Sequence, residues 1–239
     1  MPTFTHGKEA VIILDNTNLS TTLTDVSISL SADVTETSTF SSSSKSFVSG
    51  LRDGQATASG YFETSSPDSD AEYLAQLGSS GSAFSIAPIN YTRGNPVTLG
   101  KVVETSYDRS ADIAGVVAVA VAFQFDTDTF DGKTLVAPAA FTSTSTQTSV
   151  DFGAAGTNGG GAVLHVTAAS GSSPTLDAKI QTSADNASFS DYITFSQKTG
   201  VGSEYKTSNS NPARYARAVL TIGGSTPSFT VAISFGQGI

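Results

Sequence analysis

The chain has 239 residues, of which 38% are apolar and 14% charged, and it carries a formal net charge of −9. With no Cys it can form neither disulfides nor thiolate metal sites, and its low charge content excludes a charge-rich disordered tail. Residues 1–140 hold seven Lys/Arg against sixteen Asp/Glu and residues 141–239 hold five of each, a distribution that excludes a basic footprint gripping nucleic acid.

Taken in chain order, the sequence reads as nearly all strand. The opening MPTFTHGKEAVIIL has no basic region leading into an apolar run with a small-residue cleavage site, so no secretory signal is expected and a soluble, cytoplasmically made protein is. Val26-Ser27-Ile28-Ser29-Leu30 alternates with period two, the pattern of a half-buried strand. Residues 46–62, SFVSGLRDGQATASGYF, predict a hairpin turning at Arg52-Asp53-Gly54, with a second arm, Gln55–Ser59, that has little to bury. Ser69-Asp70-Ala71-Glu72 fits a capping box and predicts one short helix, ended by Gly78, with Tyr73, Leu74 and Leu77 on one face.

Further along, Val117, Val119, Val121, Phe123 and Phe125 line one face of a long strand whose other face carries Ala118, Ala120, Ala122 and Gln124. The large face suits a core, and the Ala face suits close approach by another element or subunit. Residues 137–161 are rich in Ser, Thr, Gly and Ala and predict a break, with a first domain over 1–140, a linker region over 141–161 and a second domain over 162–239. In that second part Leu176/Ala178/Ile180, Ala216/Ala218/Leu220/Ile222 and Phe229/Val231/Ile233/Phe235 alternate with polar residues, and Gly223-Gly224 reads as a turn between the last two strands. Such spacing predicts an independent immunoglobulin-like or jelly-roll sandwich.

Chemistry finds few candidates. His6 and His165 fall in different expected domains, and His165, between Leu164 and Val166, reads as a strand residue facing solvent or satisfied in the core. No Gly-x-Ser-x-Gly elbow or His-Glu-x-x-His motif occurs, so no catalytic residue and no cofactor are expected. Asp126-Thr127-Asp128-Thr129-Phe130-Asp131-Gly132 offers three carboxylates, but Phe130 occupies the fifth position of a calcium loop and no helices flank it, so it reads as an acidic turn. Gly159–Gly161 leads into a strand, not a helix, which excludes a phosphate-cradling loop. The C-terminal aromatics Phe189, Tyr192, Phe195, Tyr205, Tyr215, Phe229 and Phe235 fall mostly at alternating positions, which favours core packing over a sugar platform.

One ordered set of short segments goes beyond these generic patterns. It runs from Ile13-Leu14-Asp15-Asn16 through Leu23-Thr24-Asp25-Val26-Ser27, a polar loop ending in Thr39-Phe40, and Phe47-Val48-Ser49-Gly50-Leu51-Arg52-Asp53-Gly54, to Gly60-Tyr61-Phe62. Leu77-Gly78, Ile86-Ala87-Pro88 and Gly100-Lys101-Val102-Val103 continue it. In this order, over about residues 10–137, the chain resembles the major tail tube proteins of long non-contractile-tailed bacteriophages. The last 78 residues, with Ser170–Asp177 and Gly224–Phe229, resemble the sandwich that some of those proteins carry on the tail exterior.

The resemblance implies an all-β fold: an N-terminal tail-tube-type antiparallel sandwich or barrel with one short helix, plus a C-terminal β-sandwich. It implies a non-enzymatic virion subunit, assembled in the host cytoplasm, whose six-fold rings stack into a tube around a DNA channel. Phe40, Phe47, Gly50, Leu51, Asp53, Gly54 and Gly60 would then carry ring and stacking contacts. Its partners would be copies of itself, tail terminator and tail tip proteins, a tape measure protein inside the tube, and passing DNA without specific binding; no membrane is involved. An acidic domain suits such a conduit, because a negative lumen repels phosphates, so lumen-facing acids are expected on the N-terminal strands. With the decoration outside, residues 1–145 would assemble alone. The rival readings are a capsid decoration protein and an adhesive virion protein whose C-terminal sandwich binds host glycans.

Overall fold

A computed structural model describes residues 7–63, 69–126 and 128–238. The protein is all-β, with a single α-helix among the described residues. Strand β1 (Val11–Leu14) is apolar throughout, and Ile12, Ile13 and Leu14 are buried. It ends at Asp15, which takes a left-handed φ of 47°, a conformation Asp tolerates better than most residues. The Asp15 carboxylate accepts from the Ala83 N–H at 2.8 Å and the Gln76 side chain at 2.9 Å, so the turn is fixed from outside itself. The two-residue β2 (Thr17–Asn18) folds back on β1.

Strands β3 (Leu23–Glu36) and β4 (Phe47–Tyr61) form one long hairpin. The expected turn at Arg52-Asp53-Gly54 is absent. β4 runs straight through it, pairing Asp53 with Ser31 and Gly54 with Leu30, and the chain reverses instead in the Ser-rich loop over 37–46. An Asp-Gly hairpin turn needs positive φ, which Gly54 does not adopt. Instead the Gly54 N–H is bonded to the Asp53 carboxylate at 2.8 Å. Helix α1 (Ser69–Gln76) ends as expected, with the Leu77 N–H bonded to the Tyr73 carbonyl and Gly78 at φ 72°. The Ser69 side chain, and with it the expected capping box, lies outside what is described. Of the expected apolar face only Tyr73 is buried; Leu74 and Leu77 are 52% and 46% exposed.

Strands β5 (Ser80–Ala87), β6 (Pro96–Ser110), β7 (Ala118–Phe125) and β8 (Phe130–Phe141) follow. β7 buries Val119, Val121, Phe123 and Phe125, the large face the alternation predicts. After two-residue strands β9 (Ser145–Thr146) and β10 (Val150–Asp151) come β11 (Gly160–Ser183), β12 (Ser190–Thr194), β13 (Gly202–Ser208) and β14 (Tyr215–Gln237). Gly223-Gly224 is no turn between strands: β14 passes through it, paired with β11 along nearly its whole length. Register shifts around Ser170–Thr175 coincide with positive φ at Gly171, Ser173, Gly224 and Thr226, which bend the pair sharply. Both halves of the bent pair then share one core: Leu164 and Val166 with Leu176 and Ile180, and Ala218 and Leu220 with Val231 and Ile233. Two strands turning a corner thus do the work of four.

The sheet order is β12-β11-β14-β8-β6-β5-β1-β2, with β7, β4 and β3 branching from β6. This order crosses the expected boundary. Pro138–Phe141, placed at the edge of a linker by composition, lie inside β8, which pairs with β6 through Phe130–Lys133 and with β14 through Gly132–Phe141. A further core cluster joins Ile13, Ala83, Val97 and Leu99 to Val163 and Ala232. The two halves therefore share sheet and core.

Candidate assembly surface

The β3–β4 hairpin contacts the rest of the sheet only over its proximal part. β4 pairs with β7 from Gln55 to Tyr61, and beyond Gln55 the two strands pair only with each other. Residues 30–54 therefore project as a two-stranded ribbon. An isolated hairpin of this kind is marginally stable in water. Yet it exposes Leu30 and Val34 on β3, Phe40 in the loop, and Phe47, Val48 and Leu51 on β4.

The seven residues expected to carry assembly contacts divide along this hairpin. Phe40, Phe47 and Leu51 are exposed apolar groups on the ribbon, and Leu51 is 82% exposed. Leu51 owes this to its neighbour: the register slips between Ala32 and Val34, so Gly50 and Leu51 form a bulge opposite Asp33. A bulge re-aims the side chain it carries. Gly54 and Gly60 are buried and structural. A Cβ on Gly54 would come within 2.9 Å of Leu30 and Phe125, and one on Gly60 within 2.2 Å of the Thr22 carbonyl oxygen. Asp53 accepts from Gln124, which also bonds the Gly54 carbonyl at 2.9 Å, tying the base of the ribbon to β7.

A second surface lies on the outer face of β3, β4, β7 and β6. Directly paired residues point to the same side of a sheet. Asp25↔Ser59, Ser27↔Thr57 and Ser29↔Gln55 on β3–β4, Ser59↔Ala120 and Thr57↔Ala122 on β4–β7, and Ala122↔Ser106 and Ala120↔Asp108 on β7–β6 thus share one face. Its side chains are small, its charges are Asp25, Asp108 and, at the ribbon base, Asp53, and no Lys or Arg stands at these positions. A shallow groove of about 240 Å³ runs between Asp25, Thr57, Ser106, Asp108 and Ala120. The inner face of the poorly apolar arm puts Ala56 and Ala58 into the core beside Phe123. Alternation shows that such a face exists, but not which strands adjoin, and so could not assemble Asp25 with Asp108.

A Ser–His pair that the sequence hid by distance is also present. His165 Nε2 lies 2.8 Å from Ser85 Oγ, and its Nδ1 lies 2.6 Å from the Asp15 carbonyl oxygen. Because that carbonyl only accepts, Nδ1 carries the proton. Burial lowers the His165 pKa to about 4, against a smaller opposing effect of the Asp15 bond, so the ring is neutral and Nε2 accepts from Ser85. Ser85 in turn contacts Tyr91 at 3.1 Å, and Tyr91 bonds Ser234. Ser85 and His165 are both fully buried, so the pair has no path to a substrate and serves as a polar seam between the N- and C-terminal parts. The acidic stretch near 126–132 disperses: Asp126 pairs with Lys101 at 2.7 Å and Asp131 accepts from Thr98 at 2.6 Å, while Thr127 lies outside the described residues. Phe195, Phe229 and Phe235 are core residues. Phe189 lies under the Arg217 guanidinium at 3.9 Å.

Among the described residues, no helix is long and apolar enough to cross a membrane. No protein-family model and no curated protein matches the chain. Among solved structures it is similar to a chain of the virion of a native gene transfer agent particle, at 18% identity and a TM-score of 0.43, covering 54% of this chain and 98% of that one. It is also similar to a chain of the tail of an empty gene transfer agent particle with C6 symmetry, at 16% identity and a TM-score of 0.43, covering 53% of this chain and 97% of that one. The SPP1 Dit (gp 19.1) protein, titled a paradigm of the hub adsorption apparatus of phages infecting Gram-positive bacteria, aligns over 96% of this chain and 99% of its own at 8% identity and a TM-score of 0.40.

Proposed function

We propose that the protein is a non-enzymatic structural subunit of a phage-type tail, and specifically a tube subunit whose rings stack around a DNA-conducting channel. The observation that carries this reading is the ribbon over residues 30–54, which leaves Val34, Phe47, Val48 and Leu51 exposed and, beyond its own two strands, pairs with no strand among the described residues. Val34 and Phe47 stand on one face of the ribbon and Val48 on the other, and several large apolar side chains exposed on one short element mark an interaction site. The ribbon projects from one end of the sheet and so engages a different surface of the next copy, and a heterologous contact of that kind builds rings or filaments. The face bearing Asp25, Asp53 and Asp108 with small Ser, Thr and Ala side chains fits the lumen, where it repels phosphate and presents nothing for bases to stack on.

Replacing Phe47 and Leu51 together by Asp tests the reading. The expected result is a folded protein, unchanged in circular dichroism, that stays monomeric in light scattering and forms neither rings nor tubes in negative-stain microscopy under conditions where the parent does. A parent that remains monomeric at high concentration, or a double variant that still assembles, would overturn it.

A further inference from the structure

Glu104, on β6, is 1% exposed, and neither of its carboxylate oxygens has a hydrogen-bond partner. Leaving a carboxylate buried and ionised without a partner is among the most costly arrangements a fold can contain. The side chain shares a face with Phe123, its partner on β7, and its strand packs against helix α1, with Leu77 bridging to Glu104. Its own carbonyl accepts from the Gly78 N–H at 3.0 Å, so the end of the helix segment is seated directly on it. The Tyr73 hydroxyl of α1 is likewise buried without a partner.

The charged groups around it supply no compensation. On α1, Glu72 adds a repelling charge, and Asp70 is taken by Arg109 at 2.6 Å and by Tyr107. Arg109, on β6, is the cation of that end and is committed to Asp70. Asp15, on the turn after β1, bonds Ala83 and Gln76. β5 and β7 contain no titratable residue. Among the described residues no group of three or more His, Cys, Asp or Glu could hold a metal ion there. Among the described residues, what remains to neutralise the carboxylate is a proton. Burial, and secondarily the Glu72 charge, push the Glu104 carboxyl up to about 8.

We propose that Glu104 is a proton-operated latch: it is protonated while α1 is docked on β6, and its ionisation releases the helix from the sheet. Release would uncover Tyr73 and Tyr107, whose tilted rings now lie 5.4 Å apart, toward the end of the sheet opposite the ribbon. Because Glu104 binds its proton more tightly in the docked state, docking is strongest below the ordinary Glu range and is lost as pH rises toward 8.

Hydrogen exchange of peptides covering 69–77, divided by intrinsic exchange rates and followed from pH 5 to 9, tests this. Protection in the parent should fall by up to about tenfold per pH unit between roughly pH 5 and 8 and then level off, as one linked proton requires. Glu104→Gln should hold a pH-independent protection. Glu72→Gln, at a more exposed site, should level off at lower pH because a repelling charge is gone. Parent protection that does not change with pH, or an undiminished slope in Glu104→Gln, would overturn the proposal. Should Glu104→Gln fail to fold, an unshifted Glu72→Gln profile does so.

Discussion

Single residues decide how tightly this sheet closes, and their roles separate only in three dimensions. Gly50, Gly54 and Gly60 look alike in sequence, yet Gly60 faces the Thr22 backbone, Gly54 faces side chains, and Gly50 sits on an exposed bulge. Backbone cannot give way as a side-chain tip can, so Gly60→Val should cost about 3 kcal/mol by overpacking. Gly50→Ala, 3.1 Å from the exposed Asp33, should stay within about 1 kcal/mol. Urea midpoints read on both variants check the ranking, and equal losses would contradict it. His165 belongs to the same scale. Its folded pKa of about 4 lies below the usual 6.5, so its contribution is complete above pH 6.5 and is lost as pH falls toward 4. That loss should reach about 3 kcal/mol from this residue, since each tenfold change in proton affinity between the folded and unfolded states is worth about 1.4 kcal/mol. In His165→Leu the pH 4–6.5 slope of the urea midpoint should flatten, although the protein starts less stable because Ser85 and the Asp15 carbonyl each lose one of their two partners.

At the scale of elements, period two marks strands that bury one face, such as β7, whereas β1 and the start of β11 bury both faces and do not alternate. Val119 to Phe125 and Phe229 to Phe235 are as buried as their alternation implies. Turn chemistry misled in both long strand pairs for one reason. Arg52-Asp53-Gly54 and Gly223-Gly224 carry residues that permit reversal, but cross-strand pairing on both sides holds the chain extended or merely bent. The true reversal at 37–46 shows only as Ser-rich sequence, whose hydroxyls bond one another across the loop, as in Thr37–Ser46 at 2.7 Å. Because the ribbon beyond its base at Asp53 and Gly54 pairs with no other strand among the described residues, it should be separable. Deleting residues 32–52 and joining Ser31 to Asp53 through Asn-Gly keeps the Ser31↔Asp53 pair and supplies a two-residue hairpin turn. The shortened protein should melt within a few degrees of the parent, as removal of surface structure outside the core usually allows. It should also be unable to form rings or tubes. A large drop in melting temperature would mean that the ribbon supports its own subunit and not a neighbour.

For the whole molecule the decisive fact is that charge and composition divide at about residue 140 while packing does not. The Ser/Thr/Gly-rich run after β8 looks like a linker because it lacks large side chains. That absence says nothing about the strand just before it, whose Leu135 and Val136 are buried against Phe229, Val231 and Ile233. Nor could sequence distance reveal that Val163 and Ala232 complete the cluster around Ile13 and Leu99, or that His165 bonds across to Asp15 and Ser85. A fragment ending at 145 would keep β8 but strip β14 from its edge, leaving Lys133 to Phe141 with unpaired backbone on that side. It would also expose Ile13, Ala83 and Val97, and leave Ser85 and Tyr91 without His165 and Ser234. An uncovered apolar edge strand is a template for aggregation, and the uncovered core together with the lost His165 and Ser234 bonds, each worth about 1–3 kcal/mol, removes much of the roughly 5–15 kcal/mol that holds a domain folded. The fragment 1–145 should therefore fail to fold: on purification it should be insoluble or show no cooperative thermal transition. Adding residues 146–239 as a separate chain should restore solubility if the missing β14 edge is the cause. A soluble 1–145 with a sharp transition, and above all one that assembles by itself, would show that the shared core is dispensable and that the N-terminal part is the ring-forming unit the tail-tube resemblance implies.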